Sequence, residues 1–212
     1  MADPSRQRST ARFIVLEGID GSGKSSQVAP LAEWLRGRGH TVVACRDPGA
    51  TPAGDAIRQI LLHRQEIPLA PTTEMLLYMA ARAQLVAEVI APALARGAWV
   101  VSDRYLPANI VYQGHAGDLD AEIIRGVGGV ATGGVTPDLV LLLDLDPTTA
   151  ARRIDRPLDR LESRGDDFRR RLREGYLREA AAAPTRFDII DAAADMATVG
   201  ERIRDAVERR LG

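Results

Sequence analysis

Segment 18–25 carries residue types at a spacing that could bind phosphate. It reads Gly-Ile-Asp-Gly-Ser-Gly-Lys-Ser, which matches the pattern G-x-x-x-x-G-K-[ST]. Glycines let backbone N–H groups turn toward one point, and a helix that follows adds positive potential there. We expect Lys24 to reach the β- and γ-phosphates of a nucleoside triphosphate and the Ser25 hydroxyl to ligate Mg²⁺. The residues expected to contact the triphosphate are Gly18, Ile19, Asp20, Gly21, Ser22, Gly23, Lys24, Ser25 and Ser26.

Lys24 is the only lysine in the chain, and the other 27 of the 28 basic residues are arginine. A compact ammonium group on a flexible stem is not replaceable by a planar guanidinium where it must fit among phosphates. The exception therefore supports a phosphate role for Lys24. The alternative is a surface lysine that falls in the pattern by chance.

Apolar runs alternate with helical patterns along the whole chain. Such an alternation predicts an α/β fold in which a parallel sheet carries helices on both faces. The expected strands are 13–16, 40–45, 99–102, 138–143 and 187–190. The expected helices are 26–38, 53–63, 71–95, 104–113, 118–131, one from Pro147, and 196–211.

Length and composition predict one globular domain over 11–212 behind a disordered tail, 1–10. The 212 residues are 45 % apolar and 27 % charged, and the net charge of −1 argues against a nucleic-acid-binding face. We expect no apolar run long enough to span a membrane and no signal peptide, hence a cytoplasmic protein. The single cysteine, Cys45, and three scattered histidines predict neither a disulfide nor a zinc site.

Three further side chains stand out against apolar surroundings. Asp103 ends an apolar strand, where parallel α/β proteins place an acid that assists magnesium. Tyr78 and Arg82 are four residues apart, hence on one face of an apolar helix. A buried guanidinium needs a partner, and Glu74 is the only acid in the preceding turn. The alternative is a surface arginine whose stem covers apolar neighbours.

Segment 152–173 holds nine arginines against five acids. One interpretation is a solvated helical face with mixed charges. The other is a mobile lid that brings guanidinium groups onto phosphates when substrates bind. Both can hold, with 169–173 as the face and with Arg156 and Arg160 in the lid.

Three classes of nucleotide-binding protein fit a phosphate-binding loop. A GTPase switch is disfavoured, because no lysine remains for the Asn-Lys-x-Asp stretch that selects guanine. A mechanical ATPase is disfavoured, because the chain is short and not basic. A kinase of a small anionic acceptor needs a second pocket with its own arginines, and Arg46, Arg82, Arg104 and those of 152–164 suit that need.

Eight short motifs, taken in order, resemble those of the bacterial thymidylate kinases from Phe13 to about Leu211. The motifs are EGIDGSGKS (17–25), RDPG (46–49), AARAQ (80–84), DRY (103–105), YQG (112–114), ATGG (131–134), PDL (137–139) and DRLE (159–162). The resemblance implies a nucleoside-monophosphate-kinase-like fold with a five-stranded parallel sheet and a lid at about 152–165. It also implies transfer of the ATP γ-phosphoryl group to dTMP with Mg²⁺, in a homodimer.

The resemblance further implies a role for each matching residue. Tyr78 would stack on thymine, Arg82 would donate to a base carbonyl, and Asn109 would face the pyrimidine edge. Tyr112 would favour deoxyribose, and Asp20 would face the 3′-hydroxyl of the sugar or the metal environment. The remaining roles are acceptor phosphate binding by Arg46 and Arg104, magnesium binding by Ser25 and Asp103, and catalytic charge neutralisation by Lys24, Arg104, Arg156 and Arg160.

Several positions depart from the pattern of this family. Asp47 replaces a usual Glu, Ala50 a common Gly, and Ala108 a frequent Ser or Thr. Segment 114–118 lacks the usual arginine, and Gly128-Gly129 replaces a usual Asn-Asp pair. Two alternatives to dTMP phosphorylation therefore stay open. One is a kinase of another deoxynucleotide or of a deoxynucleoside, and the other is a regulator that binds ATP without transferring phosphate.

Overall fold

The computed structural model describes residues 11–155, 157 and 159–212. The predicted disordered tail, 1–10, and the predicted lid residue Arg156 lie outside the described residues.

Five parallel strands form one sheet in the order β2-β3-β1-β4-β5. The strands are β1 (Phe13–Glu17), β2 (Val42–Arg46), β3 (Trp99–Asp103), β4 (Leu139–Asp144) and β5 (Phe187–Asp191). The central strand β1 is fully buried, as expected for a strand covered by helices on both faces. The predicted α/β fold is confirmed, with strand ends that differ from the expected ones by one or two residues.

Helices connect the strands and cover the sheet. They are α1 (Lys24–Gly37), α2 (Pro52–Arg58), α3 (Pro71–Leu85), α4 (Ala91–Ala95), α5 (Leu106–Asn109), α6 (Ala121–Thr132), α7 (Pro147–Arg152), α8 (Asp166–Ala182) and α9 (Met196–Leu211). Segments of π-helix extend α2 (Gln59–His63), join α3 to α4 (Val86–Ile90) and extend α5 (Ile110–His115). The expected run 71–95 is therefore helical throughout.

Helix α8 was not among the expected elements. Its apolar residues Phe168, Leu172 and Tyr176 are spaced four apart and buried, so they form the stripe that packs on the core. Exposed arginines on its other side pair with acids one turn away, among them Arg170 with Asp167. This supports the solvated-face interpretation for 169–173.

The helical run Pro71–Ala95 corrects one expectation. By length and composition alone it could cross a membrane, since one window reaches a mean hydropathy of 1.3. A core helix of a soluble protein can have the same length and composition, and 44 % of that window is buried inside the protein. Its apolar residues serve packing, because α3 lies between α2 and α6.

Candidate active site

The loop between β1 and α1 has the geometry of an anion-binding site. Gly21 has a φ of +85°, and a Cβ there would lie 2.2 Å from the Ala150 carbonyl oxygen, so no larger residue fits. Lys24 begins α1, and its buried ammonium donates to the Ile19 carbonyl oxygen at 2.9 Å. Burial, with the charge of Arg104, lowers the pKa of Lys24 to about 8. The loop thus holds one cation at the N-terminus of a 14-residue helix.

Ser25 and Asp103 meet beside this loop although they are far apart in sequence. The Ser25 hydroxyl donates to the Asp103 carboxylate at 2.5 Å. Parallel pairing of β1 with β3 places Leu16 opposite Asp103 and so carries the carboxylate to the loop. A hydroxyl and a carboxylate suit Mg²⁺, which keeps several waters and phosphate oxygens as its other ligands. In the described chain no group of three or more His, Cys, Asp or Glu could hold a metal ion.

Arg104 connects the loop to the neighbouring pocket. Its guanidinium donates to the Gly18 carbonyl at 3.0 Å and to the hydroxyls of Tyr112 and Tyr176 at 2.9 and 2.8 Å. It also pairs with Asp20, which accepts a hydrogen bond from Tyr112 as well. Burial opposes ionisation of Asp20, but Arg104 and Lys24 outweigh it and hold the pKa of that carboxyl below its usual range.

Glu17 supports Arg104 through Tyr176, whose hydroxyl donates to Glu17 and accepts from Arg104. The sequence analysis did not predict this role. It accepts backbone hydrogen bonds from Tyr105 and Ala108 at 2.9 and 3.2 Å, and one from the Tyr176 hydroxyl at 2.8 Å. Burial raises the pKa of Glu17 to about 7, although Arg104 opposes this shift. The sequence feature that could have revealed this role is an acid directly after the apolar run 13–16, at the end of β1.

Arg82 is buried and paired, so the surface-arginine alternative is wrong. Only 1 % of the residue is exposed, and its Nε donates to Asp47 at 2.5 Å. Glu74 is not its partner, because that carboxylate binds Gln113 and Arg164 instead. Burial raises the pKa of Asp47 although Arg82 opposes it. Asp47, one of the residues that depart from the family pattern, is thus the counter-ion of Arg82, the arginine predicted to contact the base.

A single cleft of about 710 Å³ joins the loop to a second pocket. The pocket contains buried Tyr78, buried Asn109 and half-exposed Arg46, whose guanidinium lies 3.1 Å from Asp55. Two buried oxygens, Asn109 Oδ1 and Asp47 Oδ1, have no hydrogen-bond partner among the described residues. The predicted site residues that line this cleft are Asp20, Gly21, Gly23, Lys24, Ser25, Ser26, Arg46, Tyr78, Arg82, Asp103, Arg104, Asn109 and Tyr112.

Other predicted residues lie outside the lining of the cleft. Gly18 and Ile19 supply carbonyl oxygens to Arg104 and Lys24. Ser22 is buried, and its hydroxyl has no hydrogen-bond partner in the part of the chain that the structure describes. Arg160 donates to the Arg64 carbonyl at 2.6 Å and does not line the cleft.

Arg153, which the sequence interpretation did not single out, does line the cleft. It donates to the carbonyls of Ala192 and Ala193 at 3.0 and 3.1 Å. Nothing in the sequence distinguished Arg153 as a cleft residue from the eight other arginines of segment 152–173.

Packing accounts for two of the glycines at positions that depart from the family pattern, Gly117 and Gly128, but not for Gly129, where a Cβ would meet nothing within 4 Å. A Cβ at Gly128 would lie 2.4 Å from Leu106 Cδ1, and one at Gly117 would lie 2.4 Å from the Gln113 carbonyl oxygen. Larger side chains cannot enter these positions without a shift of the backbone or of Leu106. The glycines at 117 and 128 thus have a structural explanation that does not involve loss of catalysis.

Comparisons with known proteins agree with this geometry. The family model described as Thymidylate kinase matches residues 16–203. The chain is 44 % identical to the thymidylate kinase of Bifidobacterium longum (strain NCC 2705) over 199 residues, which cover 92 % of this chain and 97 % of the relative. It is 47 % identical to that of Clavibacter sepedonicus over 198 residues, or 92 % and 93 % of the two chains. A crystal structure of thymidylate kinase from Ehrlichia chaffeensis matches with a TM-score of 0.78 at 27 % identity, covering 93 % and 98 %.

Proposed function

The chain belongs to the thymidylate kinase family, and we infer from this that it transfers the γ-phosphoryl group of ATP to dTMP, giving dTDP and ADP. One observation carries the assignment. The phosphate-binding loop with Lys24 and a second pocket with Tyr78 and Arg82 share one cleft, so two nucleotides can meet end to end.

We propose that the transfer needs no general base. The attacking oxygen belongs to the dTMP phosphate, which is already ionised, and it forms a bond to the γ-phosphorus as the bond to the β-bridging oxygen breaks. Catalysis is then positioning and neutralisation of charge on a loose transition state. Lys24 and Arg104 would supply charge, and four hydrogen-bonding partners hold Arg104 in place: Gly18, Tyr112, Tyr176 and Asp20.

We propose that Ser25 and Asp103 hold Mg²⁺, Ser25 directly and Asp103 through an ordered water. When bound, the ion neutralises charge on the β- and γ-phosphate oxygens. The 2.5 Å contact between the two side chains supports this, because it brings hydroxyl and carboxylate oxygens to one point.

We propose that the second pocket binds the thymine and the deoxyribose. Tyr78 would stack on the base, and Asn109 Oδ1, unpaired among the described residues, would accept from an N–H group at the base edge. Three N–H groups of Arg82 donate to the Asp47 carboxylate, the Met79 sulfur and the Tyr105 carbonyl oxygen. Two of its five N–H groups therefore remain for a base carbonyl. Tyr112, held by Asp20 and Arg104, would occupy the space of a 2′-hydroxyl, and Arg46 would bind the acceptor phosphate with Arg104.

We propose that the segment 152–165 closes over the phosphates as a lid and brings Arg156 and Arg160 to the γ-phosphate. The loop itself supports this, because small residues at 21 and 22 supply no arginine there. Arg160 would have to leave the Arg64 carbonyl to do so. A further proposal is that 11–212 form one domain.

We propose that two copies of the chain associate through α3 and α6 and act in the cytoplasm, without a nucleic-acid or membrane partner. Large apolar side chains are exposed on these helices: Leu76 is 49 % exposed, Ile123 62 % and Val130 85 %. Sedimentation analysis of Val130→Asp against the parent protein tests the dimer.

An acceptor panel of dTMP, dUMP, dCMP and thymidine tests the function. We expect dTMP to have the highest kcat/KM with ATP and Mg²⁺. Thymidine as the sole good acceptor would make the protein a nucleoside kinase. ATP binding without transfer in a single-turnover experiment would make it a regulator.

A further inference from the structure

Three buried side chains form a hydrogen-bonded chain that ends at the acceptor pocket. Asn109 Nδ2 donates to Gln113 Oε1 at 2.9 Å, and Gln113 Nε2 donates to Glu74 Oε1 at 3.0 Å. The members come from α5, the π-helical segment Ile110–His115 and α3. All three are at least 96 % buried, so water does not compete for their polar groups.

The carboxylate of Glu74 fixes the direction of this chain. An ionised carboxylate only accepts hydrogen bonds, whereas an amide has a donating and an accepting end. Glu74 therefore orients the amino group of Gln113 toward itself, which turns Gln113 Oε1 toward Asn109. Asn109 must then donate through its amino group, which leaves its Oδ1 for the pocket.

Two observations on the described residues support this orientation of the Asn109 amide. Asn109 Oδ1 is buried and has no hydrogen-bond partner, and a buried acceptor left unpaired costs free energy until a donor arrives. At the other end, Arg164 Nη2 lies 3.2 Å from Glu74 Oε2 and neutralises the buried charge. The hydrogen-bonded series thus begins at the Glu74 carboxylate, which is paired with Arg164, and ends at the unpaired acceptor Asn109 Oδ1.

We propose that Glu74 is a positioning residue that selects the acceptor base by fixing the amide of Asn109 as a hydrogen-bond acceptor. Thymine and uracil present a donor, N3–H, between two carbonyl oxygens, whereas cytosine presents a lone pair at N3. An amide locked with Oδ1 toward the base accepts from the first and repels the second. This inference rests on the proposed contact of Asn109 with the pyrimidine edge.

The test compares kcat/KM for dTMP and dCMP, with saturating ATP and Mg²⁺, in the parent protein and in Glu74→Gln. The glutamine can donate as well as accept, so the chain can reverse. We expect the preference for dTMP over dCMP to fall about tenfold, with KM for dTMP raised and KM for ATP unchanged.

A second variant separates this role from a structural one. In the double variant Glu74→Gln with Gln113→Glu, the carboxylate at 113 accepts from both neighbours, so Asn109 again presents Oδ1. We expect the preference to recover to within about threefold of that of the parent protein. A role limited to pairing with Arg164 would not recover, because position 74 no longer carries a charge.

Controls make each outcome decisive. Glu88→Gln makes the same change at an exposed position of the same helical run and should leave the preference unchanged. Gln113→Leu breaks the chain at its centre and should lower the preference about tenfold even if Glu74→Gln does not fold. An unchanged preference in Glu74→Gln or in Gln113→Leu, or no recovery in the double variant, overturns the proposal. A parent protein that does not prefer dTMP over dCMP contradicts the base contact of Asn109 instead.

Discussion

The proposed phosphate-binding loop and the proposed acceptor pocket share one cleft but are built in different ways. The loop is local: Lys24 bonds to a carbonyl five residues before it, and backbone N–H groups and one ammonium supply its chemistry. The acceptor pocket depends on pairs of side chains that are far apart in sequence: Asp47 and Arg82 are 35 residues apart, and Arg104 and Tyr176 are 72 apart. A local loop recognises a phosphate that many nucleotides carry, whereas paired side chains can distinguish one base from another. Changes in the loop should therefore abolish transfer, and changes in the pocket should alter the choice of acceptor or the stability.

Lys24→Ala gives the largest expected effect and tests the loop side of the comparison. Removing the ammonium leaves γ-phosphate charge unneutralised, so we expect kcat to fall about 10⁴-fold. Lys24→Arg should rescue poorly, because a planar guanidinium does not fit where a compact ammonium sits. Single-turnover transfer to dTMP measures both variants, and near-normal turnover of Lys24→Ala would refute the phosphate role.

Arg82→Ala tests the pocket side. It leaves the Asp47 carboxylate buried without its counter-ion, which costs about 3–5 kcal/mol of the free energy of unfolding. The KM for dTMP should rise and the affinity for ATP should stay intact. Urea unfolding and separate substrate titrations measure the two effects, with exposed Arg178→Ala as the control. A loss of ATP affinity alone would show that Arg82 does not contact the acceptor.

Glu17→Gln tests, through the pH dependence of stability, the residue that supports Arg104 between the two regions. The pKa of Glu17 is about 7 in the folded protein against an ordinary 4.5, so the folded state binds more protons between these values. Stability of the parent protein should therefore fall as pH rises from 4.5 to 7, by at most about 3 kcal/mol from this group.

Glutamine mimics the protonated acid, so Glu17→Gln should lack this dependence. Urea unfolding at pH 5 and pH 8 measures this dependence. The free energy of unfolding of the variant, relative to that of the parent protein, should be higher at pH 8 than at pH 5. An equal difference at both pH values would mean that Glu17 titrates normally.

Ala50→Gly gives the smallest expected effect and concerns the turn between β2 and α2, beside the pocket. Ala50 has a φ of +62°, in the left-handed region, which costs an alanine about 1–2 kcal/mol. Glycine relieves this strain but gains freedom in the unfolded chain, so we expect a net stabilisation of about 0.5–1 kcal/mol. Ala56→Gly, at an exposed position in α2, should destabilise by about 1 kcal/mol. If both variants destabilise alike, the turn stores no strain.

The same contrast decides how far each region could be predicted. The loop, its flanking strand and helix, and the helix bounds Met196–Leu211 follow from patterns within a few residues. Helix α8 was missed because its arginines and acids hid the apolar stripe of Phe168, Leu172 and Tyr176. Spacing singled out Tyr78 and Arg82 in the sequence, but their contacts with the base, and the place of Asn109 in the pocket, came from the family resemblance.

By itself the sequence determined the fold class and the kinase family and predicted the phosphate-binding loop, because local hydrogen bonding and burial leave a period or a motif in neighbouring residues. Only the tertiary structure decided that Asp47 pairs with Arg82, that Glu17 holds Arg104 through Tyr176, and that Glu74 reaches Asn109 through Gln113. These partners lie on different elements, and their distance is set by how strands and helices pack. No spacing along the chain records that distance.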